Sequence, residues 1–285
     1  MRPVVLSTPT EVRRYVGALA AQGKRLALVP TMGFLHEGHV SLMREGRVRA
    51  DEVAVSIFVN PTQFGPKEDL STYPRDLAGD LDRCESAGVA VVYAPQASAV
   101  YPEGFQTWVT VERVSTGLCG DRRPNHFRGV ATVVAKFLAL FRPALALFGE
   151  KDYQQLQVLK RLNQDLDLGV DIVGMPTVRD PDGLAMSSRN AYLSKEDRPR
   201  AVAISRGLFE IERLVQAGER DARALAAVMR AALSASGLRE DYVEIRHATT
   251  LEPLETLTTQ VPARALVAAF LGSTRLIDNV ALVAP

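Results

Sequence analysis

Cysteine is nearly absent from the chain: Cys84 and Cys119 are the only two among 285 residues. Two thiols build neither a disulfide framework nor a zinc site, so a reduced, cytoplasmic setting is the expectation. Lysine is scarce as well. It supplies six of the 34 basic residues, and arginine carries the rest of the positive charge. Against 33 acidic residues this leaves a net charge of +1, which argues against nucleic acid or a membrane surface as the partner. Long apolar runs are missing too. The longest stretch, 130–148, is interrupted by Lys136, Arg142 and Pro143, so it is not expected to cross a bilayer as one helix. Met1–Ser7 has no apolar core of the kind a secretory signal needs. The common nucleotide fingerprints are also lacking: there is no G-x-G-x-x-G, no phosphate loop around Gly23-Lys24, and no G-x-S-x-G.

What is present is ordinary globular material, 47% hydrophobic and 24% charged, long enough for one large or two modest domains. Short apolar runs alternate with helix-like stretches over the first two thirds. Strands are expected at 25–30, 53–59, 89–93, 107–111, 144–148 and 170–173. Helices are expected at 37–50, 76–87, 130–141 and 152–166. Continuous apolar strands separated by helices indicate a parallel sheet covered on both faces, a doubly wound, Rossmann-like α/β domain. After about Asn190 the character changes. Two Ala- and Arg-rich helices, 195–216 and 221–236, precede three strand-like runs at 242–246, 265–270 and 274–283. A smaller C-terminal α+β domain is therefore expected, with a hinge near Gly174-Met175-Pro176, giving domains 1–175 and 176–285.

Three segments carry chemistry. The first follows the first strand: Pro30-Thr31-Met32-Gly33-Phe34-Leu35-His36-Glu37-Gly38-His39. Strand, glycine turn and helix N-terminus in that order make an anion site at the carboxyl end of a strand. His36 and His39, three apart, share one side of the first helical turn, and Gly38 lets a ligand approach the backbone. Two imidazoles there suit a phosphate and a departing pyrophosphate, although a lone histidine in that place more often caps or packs the helix. The second segment is Phe148-Gly149-Glu150-Lys151-Asp152-Tyr153-Gln154-Gln155. It repeats the strand–glycine–helix pattern, with Lys151 as a point charge for phosphate and Asp152 as either a ribose contact or a cap. The third, Asp182-Gly183-Leu184-Ala185-Met186-Ser187-Ser188-Arg189-Asn190, offers two hydroxyls and an Arg in a Gly-led loop. Gly120–Phe127 (GDRRPNHF) reads as a solvated basic loop.

With the segments PTMGFLHEGH (30–39), SIFVNPTQF (56–64), YPRD (73–76), HFRGV (126–130), FGEKDYQQL (148–156) and MSSRN (186–190), the chain resembles the pantothenate synthetase (pantoate–β-alanine ligase) family. That family shares the His-x-Gly-His signature with a wider nucleotidyltransferase group. The resemblance implies a two-step, Mg2+-requiring reaction. Pantoate attacks the α-phosphate of ATP to give pantoyl adenylate and pyrophosphate, and β-alanine then displaces AMP to give pantothenate. It also implies a cytoplasmic homodimer. By the same resemblance Met32–His39 is the ATP loop, with Gly33, Phe34, Leu35, Glu37 and Gly38 inside it, and His39 stands where a proton donor is assigned. Lys151 would bind phosphate, with Glu150 beside it, and Asp152 the ribose. Gly149, Val178 and Met186 would contact adenine and ribose, and Ser187, Ser188 and Arg189 would form a phosphate loop. His36, His39, Lys151 and Arg189 are the implied catalytic set. Gln63 and Gln155 are the implied pantoate amides, with Asn60 near them and Arg128 as an accompanying charge. No residue is assigned to the metal. The competing readings are an adenylyltransferase acting on a phosphorylated acceptor and a non-catalytic nucleotide sensor.

Overall fold

The computed structural model describes residues 2–66 and 68–283. The chain divides into two compact units. The first runs up to Glu150 and includes Gln155–Pro176; the second comprises Lys151–Gln154 and the chain from Thr177 onward.

The first unit is built on six parallel strands: β1 (Val4–Leu6), β2 (Leu26–Thr31), β3 (Glu52–Ile57), β4 (Val91–Tyr93), β5 (Leu145–Gly149) and β6 (Asp171–Met175), in the order β1-β4-β3-β2-β5-β6. Its helices are α1 (Pro9–Ala21), α2 (Glu37–Arg49), α3 (Leu77–Ser86), the short α4 (Ala97–Val100) and α5 (Leu118–Arg122), α6 (His126–Phe141) and, from Gln155 onward, α7 (Tyr153–Asp165). Strand alternation sorts the core into two layers. Ala27, Val29, Val53, Val55, Val92, Leu145 and Leu147 pack with Met43 of α2 and Cys84 of α3. From the other face of β4, Tyr93 meets Phe137 and Phe141 of α6 edge-on, at 5.7 and 5.8 Å between ring centroids. The expected doubly wound parallel sheet is what the chain forms. β2 has β3 on one side and β5 on the other, so the order reverses there. The carboxyl ends of β2 and β5 are the ligand-binding position of such a sheet.

Two expectations change. Thr107–Val111 is not a strand; it joins neither sheet, and the Val109 N–H donates instead to Thr132 Oγ1 on α6 at 3.0 Å. The helix expected from residue 130 begins four residues earlier, at His126.

The second unit carries α8 (Asp197–Ala201), α9 (Ala203–Gln216) and α10 (Ala222–Ala235), followed by an antiparallel sheet of β7 (Arg239–His247), β8 (Ala263–Leu271) and β9 (Thr274–Leu282). Leu208, Ile211 and Val215 of α9 and Leu225 and Met229 of α10 share one core with Val243, Ile245, Ala265 and Val267 of the sheet. The expected 195–216 helix is in fact α8 and α9, and Asp221 caps α10 by accepting from Arg223 N at 2.7 Å. Among the described residues no helix is long and apolar enough to cross a membrane.

Candidate active site

The turn after β2 is held by residues far away in sequence. Thr31 Oγ1 donates to the Ser56 carbonyl at 2.7 Å and accepts from Gly33 N at 3.2 Å. Gly33 has φ +81°, which a side chain would resist. The next two N–H groups, of Phe34 and Leu35, donate to Asp80 of α3 at 2.9 and 2.7 Å. Asp80 is 1% exposed. Burial raises its carboxyl pKa, and the two backbone bonds offset only part of that rise.

His36 is the N-cap of α2: its Nδ1 accepts from Gly38 N at 3.2 Å, while His39 Nδ1 accepts from His36 N at 3.3 Å. Capping and phosphate recognition are therefore not alternatives here. Because each Nδ1 is an acceptor, each neutral ring carries its proton on Nε2. The pair, 4.1 Å apart between ring centroids, thus holds two Nε2–H donors at a helix N-terminus. Glu37 pairs with Arg44 along the same helix.

The amide cluster follows β3. Asn60 caps a single 3-10 turn, Pro61–Gln63. Its Nδ2 donates to Gln63 Oε1 at 3.0 Å and to the Gly129 carbonyl at 3.2 Å, and its Oδ1 accepts from Thr62 Oγ1 and Tyr101 Oη, both at 2.9 Å. These bonds saturate the Asn60 amide, so its work is to orient Gln63. Gln63 Nε2 in turn meets Met32 Sδ at 3.3 Å, which brings the turn after β2 and the Asn60–Gln63 pair together. A Cβ on Gly129 would sit 2.6 Å from the Thr62 carbonyl oxygen and 2.8 Å from Gln63 N, so only glycine lets α6 come this close.

In the basic loop Arg122 is exposed, but Arg123 and His126 are turned to partners inside the protein. Arg123 holds Glu68 through two bonds, at 2.8 and 2.5 Å, and donates to the Gln63 carbonyl at 3.3 Å. His126, 7% exposed, has Nδ1 2.8 Å from the same carbonyl and Nε2 3.0 Å from Arg123 Nη1. A neutral ring with its proton on Nδ1 satisfies both bonds. Burial alone would raise the Glu68 carboxyl, but the Arg123 bonds and charge outweigh it and hold it below the usual range. Arg128 lies with its guanidinium over the Trp108 ring, 4.5 Å from the centroid. Gln155, on the first turn of α7, is half-buried, and Gln154 and Gln157 beside it are buried.

In the second unit, Lys151 Nζ lies 3.5 Å from Asp152 Oδ2. Residues 178–186 form a small antiparallel turn. Met186 N donates to the Val178 carbonyl at 3.0 Å, and Asp180 N to the Leu184 carbonyl at 2.8 Å. Ser187 then caps the 3-10 turn Ser188–Tyr192 by accepting from Arg189 N, while Asn190 Nδ2 donates to the Ala185 carbonyl at 3.0 Å. Ser188 is buried and Arg189 half-buried. Among the described residues no three His, Cys, Asp or Glu side chains stand together as metal ligands.

The family profile described as pantoate-beta-alanine ligase matches residues 4–281. The chain belongs to the pantoate–β-alanine ligase family. It is 65% identical to the pantothenate synthetase of Myxococcus xanthus (strain DK1622), over 99% of this chain and 97% of that one. It is 55% identical to that of Anaeromyxobacter dehalogenans (strain 2CP-C), over 97% and 98%. The crystal structure of pantothenate synthetase from Thermus thermophilus superposes with a TM-score of 0.92 at 43% identity, covering 97% of this chain and 98% of that one. The pantoate-β-alanine ligase of Francisella tularensis, complexed with β-γ ATP and β-alanine, gives a TM-score of 0.80 at 33% identity, covering 98% and 97%. Asp80 and Tyr101 are hydrogen-bond partners of the Met32–Gln63 region that no motif announces, and Arg123 and His126, which the sequence offers only within the Gly120–Phe127 loop, join it at the Gln63 carbonyl.

Proposed function

We propose that the protein joins pantoate and β-alanine to give pantothenate, at the expense of ATP and through a pantoyl adenylate. A pantoate carboxylate oxygen forms a bond to the α-phosphorus of ATP as the bond to the bridging oxygen breaks, and pyrophosphate leaves with that electron pair. The β-alanine amine then bonds to the acyl carbon, AMP departs, and the nitrogen releases a proton. The observation that carries this reading is the histidine turn at the end of β2. Its two Nε2–H donors and helix N-terminus suit a leaving pyrophosphate, and it stands beside a neutral amide, Gln63 held in place by Asn60, suited to a hydroxy acid.

The roles follow the chemistry of each group. His36 and His39 donate hydrogen bonds to phosphate; the attacking carboxylate has no proton for them to remove. Lys151 and Arg189, with Ser187 and Ser188, neutralise phosphate charge. Met32–His39, Gly149, Glu150, Val178 and Met186 form the rest of the nucleotide contacts, and Asp152 takes the ribose. Gln63, oriented by Asn60, and Gln155 bind pantoate, with Arg128 as a flanking charge. Magnesium enters as part of the nucleotide substrate. Residues 1–175 form the nucleotide- and pantoate-binding part in this reading, and 176–285 a smaller lid. Two buried cysteines outside any disulfide, Cys84 and Cys119, suit a reducing cytoplasm, and a homodimer belongs to the same proposal.

The decisive measurement is isotope exchange between pyrophosphate and ATP. Exchange is expected with pantoate present and β-alanine absent. Exchange that appears only when β-alanine is added would overturn the stepwise route.

A further inference from the structure

β8 and β9 bury two polar residues on the same side of their sheet. Arg264 is 7% exposed and Asn279 3%. In the register Leu266 faces Asn279 and Arg264 faces Ala281, so Arg264 and Asn279 are diagonal neighbours. Arg264 Nε donates to Asn279 Oδ1 at 2.5 Å. That bond fixes which way the amide points, and Asn279 Nδ2 then donates to the Lys151 carbonyl at 2.9 Å. The Arg264 guanidinium lies over the Tyr153 ring, 3.7 Å from its centroid. Both neighbours of Asp152 are therefore gripped by the same buried pair. Asp278, the preceding residue, binds Arg179 through two bonds, at 2.6 and 3.0 Å, at the base of the turn that leads to Ser187–Arg189.

We infer that Asn279 is a positioning residue for Lys151. By holding the lysine's backbone carbonyl, it fixes the point from which the ammonium reaches. A lysine side chain is long and flexible, so a phosphate-binding lysine gains precision chiefly from a fixed backbone. Asn279 suits the task because a buried amide can accept from Arg264 and donate to a carbonyl at once, which no apolar residue does. This inference rests on the reading of Lys151 as a phosphate-side cation.

A double-mutant cycle separates positioning from mere packing. Turnover and Michaelis constants are measured for Asn279→Ala, Lys151→Ala and the double variant, with circular dichroism melting on each. Asn279→Ala is expected to lower kcat about tenfold, the worth of one buried hydrogen bond, with the pantoate KM unchanged. In the Lys151→Ala background the same substitution is expected to cost less than about twofold, because the group it positions is gone. Asn279→Asp keeps the shape and the Arg264 partner but faces the carbonyl with a second acceptor, and the same loss is expected. If Lys151→Ala itself keeps full turnover, the phosphate-side reading fails and the inference falls with it. If Lys151→Ala is impaired while the Asn279 loss stays additive, or Asn279→Ala is as active as the wild type, the inference alone is overturned. Failure of both Asn279 variants to fold would also overturn it, in favour of a structural role.

Discussion

A histidine whose Nδ1 accepts from a backbone N–H is committed to one tautomer, and both His36 and His39 are so committed. In the sequence they are two imidazoles three residues apart, with the proton unplaced; the backbone bonds place it on Nε2. The same scale separates the nucleotide side from the acid side. In the proposed assignment Lys151→Ala removes a cation facing phosphates whose charge grows as the α–β bridge breaks, so turnover is expected to fall by ~10²–10³. In the same proposal Gln155→Ala removes a pantoate contact present in ground and transition states alike. Its main effect is expected on the pantoate KM, with a smaller loss of turnover from misorientation. Steady-state kinetics on folded variants distinguish the two. Near wild-type turnover in Lys151→Ala would remove the phosphate role from Gly149–Asp152. His36, Lys151 and Gln63 stand out in the sequence because their motifs are local. Asp80 and Asn279 do not, because their partners lie 45 and 128 residues away.

Among the elements, the buried strands are the most legible. Leu26–Thr31, Glu52–Ile57 and Leu145–Gly149 read as apolar runs because helices cover both faces. α1 has a weaker signal: Val12, Tyr15, Val16 and Leu19 keep helical spacing, but only Val12 and Leu19 are fully buried, so the stripe is narrow. Its signature is at the start instead, Thr8-Pro9-Thr10-Glu11, where Thr8 accepts from Glu11 N and Glu11 reaches back to Thr8 N at 2.8 Å. Thr107–Val111 misleads for the opposite reason, since alternation without a neighbouring strand makes no ladder. The capping box of α1 yields a pH-dependent prediction. Bonds from the Ser7 and Thr8 backbone N–H groups pull the Glu11 carboxyl down from 4.5 to about 2. A depressed carboxyl contributes stability that is full above its unfolded value and is lost as pH falls toward its folded value. Separately, Thr8→Ala removes the N-cap acceptor for Glu11 N and is expected to lower stability by about 1 kcal/mol in urea titrations. Glu11→Gln is expected to destabilise at neutral pH, with the difference from wild type shrinking between pH 4.5 and about 2. A Glu11→Gln difference that stays constant across that range would show that the carboxylate does not hold the cap.

For the molecule as a whole, the chain enters the second unit for four residues at Lys151–Gln154, returns for Gln155–Pro176, and re-enters at Thr177. No single cut of the chain separates the units, although each has its own core. Ligand effects on the whole protein therefore have to be distinguished from effects on one segment. MgATP that binds only the native protein raises its stability everywhere, by about 2.7 kcal/mol at a hundred times its dissociation constant. Ordering of the 182–190 segment over phosphate would add protection confined to that segment, excluding water from a reactive mixed anhydride. Trypsin reports both. Arg189 lies in the segment, half-buried after its Ser187 cap, whereas Arg223 starts α10 with its side chain 85% exposed. MgATP is expected to slow cleavage after Arg189 by a larger factor than cleavage after Arg223, as read by mass spectrometry of timed digests. If both slow by the same factor, the nucleotide acts only through global stability, and the lid role of 182–190 is wrong. If neither slows at saturating nucleotide, Ser187, Ser188 and Arg189 are not phosphate ligands.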